Sequence, residues 1–73
     1  MTTPFQELAE HSPEMAEALN EITNAWLSRT ITQDEYQYLL KELQEVRAAE
    51  ALAGNEQAMR VLVAAVSLAA SAV

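Results

Sequence analysis

The sequence predicts an all-α fold: a short N-terminal helix, an antiparallel helical hairpin and an apolar C-terminal helix, forming a small three- to four-helix bundle. Three observations predict it. Helix breakers are scarce, with 1 glycine and 2 prolines in 73 residues, while Ala, Leu, Glu and Gln abound. Both prolines sit one residue after a Thr or Ser able to cap a helix. Apolar residues recur at steps of three and four through the middle of the chain.

The first helix is expected over about residues 4–10. Thr3-Pro4-Phe5-Gln6 supplies an N-cap, a proline at the first helical position and a capping-box glutamine. Ser12-Pro13-Glu14 repeats the device after a bend at His11, which starts a second helix over about 13–28. In that segment Met15, Ala18, Leu19, Ile22, Ala25 and Trp26 form one stripe, with Glu14, Glu17, Glu21 and Asn24 opposite. Arg29 would set a cation against the negative end of this helix.

The stretch "TITQDEYQYLLKEL" writes the next start. Thr32 caps, Glu35 completes the box, and Ile31 can staple onto Tyr36. Tyr36, Leu39, Leu40, Leu43 and Val46 then make the inner face of a third helix, expected over about 33–53. Past Val46 the register decays, because Arg47 and Glu50 arrive where apolar residues should continue it. Gly54 is a natural C-cap and Asn55 can open the last helix, about 56–72. The short link from Ser28 to Ile31 makes helices two and three an antiparallel hairpin, with Trp26 and Tyr36 as core at its turn end. Phe5 is expected to pack the N-terminal helix back onto the bundle, and Tyr38 to stand exposed as a candidate aromatic contact.

Residues 1–73 make a single helical domain, too small to bury a large core. With no cysteine, neither a disulfide nor a thiolate metal site can staple it, which favours association with other chains. The net charge of −7 argues against binding nucleic acid through phosphates. Among residues 1–28 the charged groups are Glu7, Glu10, Glu14, Glu17 and Glu21. Glu14, Glu17 and Glu21 read either as a solvated helix face or as a docking surface for a basic partner.

No charged side chain follows Arg60. On a projection at about 100° per residue, Arg60, Ser67 and Ser71 fall within about 40° of one another, with Ala64 beside them. The apolar residues fill the remaining circumference, about twice the stripe of an ordinary surface helix. Met59, Val61, Leu62, Val63, Val66, Leu68 and Val73 are therefore expected to form a seam for another surface. Residues 61–73 would extend only about 20 Å as a helix, short of the about 30 Å of a hydrocarbon core, and carry none of the lysine or arginine usual for an interfacial anchor, so membrane contact is not expected. The opening "MTTPFQELAEHS" lacks early lysine or arginine and does not read as a secretory signal, and the chain is expected in the cytoplasm when made.

Chemistry has little to work with. His11 is the only histidine, so neither a Cys–His pair nor a histidine-rich metal site can be assembled. No Glu-x-x-His pair or glycine-rich phosphate loop occurs. We expect no catalytic residues, no metal and no cofactor, hence no enzyme.

The stretch "WLSRTITQDEYQYLLKELQE", Trp26 to Glu45, resembles the short C-terminal (SHOCT-like) helical modules of bacterial proteins, with Thr30 where that pattern carries glycine. It also resembles small helical accessory proteins of tailed bacteriophages. The resemblance implies a non-enzymatic helical interaction protein, a virion or assembly component whose partners are itself, other components of a larger assembly, or both. The alternative is a small acidic regulatory inhibitor that binds a basic, nucleic-acid-handling host protein.

Overall fold

The structure, a computed structural model, describes residues 3–71, which hold four helices and no strand. The first, α1, is Pro4–His11 and the second, α2, is Pro13–Leu27. The third, α3, begins as Gln33–Glu42, runs without a break through a π-helical stretch Leu43–Arg47, and ends with the α turn Ala48–Ala51. The C-terminal helix is Glu56–Ser71.

Local chemistry sets each start. In α1 the Gln6 N–H donates to Thr3 Oγ1 at 3.1 Å and the Thr3 N–H donates to Gln6 Oε1 at 3.0 Å, a complete capping box. The same exchange joins Thr32 and Glu35 at the start of α3, at 3.2 and 2.9 Å. Ser12 caps α2 by accepting from the Met15 N–H, and Asn55 caps the C-terminal helix by accepting from the Ala58 N–H at 3.1 Å. The bend between α1 and α2 falls at Ser12, and His11 belongs to the last turn of α1.

The end of α2 is a Schellman motif. The Thr30 N–H donates to the Ala25 carbonyl at 2.9 Å and the Arg29 N–H to the Trp26 carbonyl at 3.0 Å. Such a cap needs one left-handed residue, usually glycine. Here it is Arg29, with φ 61°. Its expected role as a charge against the helix end is joined by a conformational one that costs energy.

The decay of register past Val46 has a structural cause. The Ala48 N–H donates to the Leu43 carbonyl, one residue further back than an α-helix would reach. The inner stripe therefore steps from Leu43 to Ala48 and on to Leu52, all three buried, and leaves Arg47 and Glu50 in solvent. Val46, expected on the inner face, is turned outward and is 53 % exposed. Beyond it Gly54 takes a left-handed φ of 81°, which reverses the chain into the C-terminal helix.

One core joins all four helices: Leu8 of α1, Met15 and Leu19 of α2, Tyr36, Leu40 and Leu43 of α3, and Leu62 of the C-terminal helix are almost completely buried. Leu8 is the fully buried residue of α1, whose most extensive packing is against the C-terminal helix, and the partly covered Phe5 lies beside residues of α2 and that helix. The Cα radius of gyration is 11.5 Å, against about 11 Å for a compact chain of this length. At the hairpin end, Trp26 and Tyr36 stack with ring centroids 5.2 Å apart and planes 16° apart. Tyr36 also donates its hydroxyl to the Ala69 carbonyl at 3.0 Å, tying the hairpin to the last turns of the C-terminal helix.

Candidate interaction surfaces

The C-terminal helix touches α1, α2 and every part of α3. Ala58, Leu62, Ala65 and Val66 form its buried face, and Met59, Val61, Ala69 and Ala70 pack partly against the core. Leu62 and Val66 are thus core residues, a correction to their place in the expected seam. They join a core shared by all four helices, in which α1 packs against the C-terminal helix alongside the hairpin. Val63, 37 % exposed, and Leu68, 55 % exposed, remain available, with Met59 and Val61 at the margins. Val73 lies outside the described residues.

The two exposed residues do not form one strip. At about 100° per residue, Val63 and Leu68 lie on opposite sides of Arg60, about 140° apart. Between them run the exposed Arg60, Ala64, Ser67 and Ser71. The open apolar surface of this helix is therefore two edges flanking a small, polar ridge.

Each edge borders a different depression. Leu68 and Phe5 rim an open groove floored by Leu19, Ala65 and Ala69, with Asn20 and Thr23 along one side. No residue lining it carries a charge. Val63 and Met59 line a second, broader one with Leu52, Arg60, Glu56 and the turn around Gly54.

Tyr38 and Val46 stand on the outer face of α3, 57 and 53 % exposed. They share a shallow depression with Lys41, Glu42 and Glu45, and Tyr38 and Glu42 also line an adjoining one with Asp34, Glu35 and Leu39. Val46 was not legible here, because only the π segment brings it beside Tyr38. The five-residue spacing of Leu43 and Ala48, with Arg47 between, is the signal that could have found it.

Glu14, Glu17 and Glu21 are all exposed on α2, and the other exposed residues of that helix include Asn20 and Asn24 but no large apolar side chain until Leu27. Among the described residues no group of three or more His, Cys, Asp or Glu side chains is placed to hold a metal ion. Among them, too, no helix is long and apolar enough to cross a membrane.

Comparison of the chain with protein-family models, with curated proteins and with solved structures found no match.

Proposed function

We propose that this chain is a non-enzymatic helical interaction protein that associates with copies of itself, as part of a larger assembly, through the groove rimmed by Phe5 of α1 and Leu68 of the C-terminal helix. The observation that carries this reading is the uncharged groove on a chain of net charge −7. Two such chains repel at most approaches, and like charges brought face to face cost energy. At this groove an apolar side chain of one copy can enter the other without setting carboxylates against each other. Burying a leucine fully is worth roughly 1.5–3 kcal/mol, and a two-fold contact buries each such residue twice.

The general style of the chain, small, acidic, cysteine-free and helical, resembles accessory proteins of tailed bacteriophages and suggests the setting, a virion or assembly component made in the cytoplasm and carried into the particle. Size-exclusion chromatography with light scattering on the full chain tests the self-association. A species of twice 8.0 kDa or more is expected, and a clean monomer at every concentration contradicts it. Genes for capsid or tail proteins beside the coding sequence would support the setting.

The second reading, an acidic regulatory inhibitor of a basic host protein, is favoured by the exposure of Glu14, Glu17 and Glu21 along α2. Capture of a basic, nucleic-acid-handling enzyme that is lost when all three become glutamine would favour it over the first.

A further inference from the structure

We infer that the outer face of α3 is a docking surface for a cationic amphipathic helix of a partner protein. Tyr38 and Val46 supply its apolar centre. Both are more than half exposed, and they meet across one depression only because the π-helical stretch Leu43–Arg47 turns Val46 outward. A π segment inside a helix is uncommon and recurs at functional positions. Here it keeps Leu43 and Ala48 in the core while leaving an aromatic ring and a branched aliphatic exposed around one depression.

Charge identifies the occupant. The two adjoining depressions that share Tyr38 are rimmed by Asp34, Glu35, Glu42 and Glu45, against the single cation Lys41. An apolar centre inside an acidic rim is the complement of a helix with an apolar stripe flanked by lysine or arginine, the helix-in-groove mode of recognition. A second copy of this chain does not fit. Arg29 lies in the hairpin turn, Lys41 and Arg47 on α3 itself, and Arg60 alone on the C-terminal helix, so no segment presents a basic amphipathic face. Two α3 faces brought together would instead oppose their carboxylates. The acidic face of α2 differs in kind, because it has no apolar centre and would bind by charge alone. This surface is separate from the Phe5–Leu68 groove, so it stands whether or not the chain self-associates.

The test is titration of the ¹⁵N-labelled full chain with a synthetic leucine–lysine amphipathic helix of about eighteen residues, five turns. A leucine–glutamate peptide of the same pattern and a lysine–serine peptide without the apolar stripe serve as comparisons. Amide shifts are expected to concentrate between Asp34 and Arg47, with binding that weakens as salt is raised and is absent for the glutamate peptide. Replacing both anchors, Tyr38→Ser with Val46→Ser, should weaken binding about tenfold or more, as for a central hot spot. The triple Glu14→Gln, Glu17→Gln, Glu21→Gln variant should stay within about twofold of the parent, a change of under about 0.5 kcal/mol. Shifts centred on α2 or spread over the whole surface overturn the inference. So does equal binding of the lysine–serine peptide, and so does an unchanged affinity in the anchor variant.

Discussion

Replacing Tyr36 with phenylalanine removes one oxygen and leaves everything else about the residue in place. The ring stays buried and stacked on Trp26, so the change isolates the hydroxyl's bond to the Ala69 carbonyl at 3.0 Å. A hydrogen bond of this kind contributes about 0.5–1.5 kcal/mol net. Ala69 is only partly buried, so water can replace the hydroxyl, which keeps the loss inside that range. Unfolding entropy of roughly 2.1 cal/mol/K per residue makes about 150 cal/mol/K for the chain, so each kcal/mol moves the midpoint by about 6–7 °C. Tyr36→Phe should therefore lower Tm by about 3–10 °C. Trp26 is the only tryptophan and sits against the altered ring, so its fluorescence, together with far-UV circular dichroism at matched protein concentration, reads the transition. Tyr38→Phe is the control, since it makes the same chemical change on an exposed ring and should leave Tm where it is. A Tyr36→Phe midpoint equal to the parent's would refute the claim that this bond fastens the hairpin to the C-terminal helix.

The two left-handed positions should respond in opposite directions. Arg29→Gly relieves about 1–2 kcal/mol of backbone strain and loses about 0.4–1 kcal/mol to a freer unfolded chain, so urea denaturation should show a gain of roughly 0.5–1 kcal/mol. Gly54→Ala meets no atom within 4 Å, yet at φ +81° it should cost about 1 kcal/mol in the same assay. Deleting Val46 places Ala48 four residues after Leu43, in α register, and should leave helical content unchanged with stability within about 1 kcal/mol of the parent. Deleting Gln37, in the α part of the same helix, should abolish cooperative unfolding by rotating Leu40 and Leu43 out of the core. Raising salt from about 0.1 to 1 M shortens the screening length from about 10 to 3 Å. That should strengthen self-association, measured by light scattering, and weaken binding of the leucine–lysine peptide.

What the sequence made legible was written in short-range chemistry. Thr3 with Gln6, Thr32 with Glu35, Ser12 and Asn55 each place a cap within three residues of the N–H it accepts from, so no tertiary knowledge is needed to see them. What escaped depends on packing between distant segments. The π segment exists because Leu43, Ala48 and Leu52 must all reach a core shared with other helices, and a local pattern shows only an interrupted stripe. Leu8, buried completely, sits in α1, which packs most extensively against the C-terminal helix, while the larger Phe5 stays at the rim of a groove. The apolar circumference of the C-terminal helix was read as too wide for a hairpin to cover; the first helix packs against it as well, and its exposed large apolar side chains, Val63 and Leu68, lie on two separate edges.

Leu68 is the exposed leucine of the C-terminal helix and rims the uncharged groove, so a charge placed there tests the association without touching the core. Sedimentation equilibrium of the parent and of Leu68→Glu, over a wide concentration range, gives the answer directly. The parent should sediment as a multiple of 8.0 kDa that dissociates on dilution, and Leu68→Glu as the 8.0 kDa chain throughout. A parent that stays at the single-chain mass, or a variant that associates as tightly as the parent, contradicts the role given to this edge.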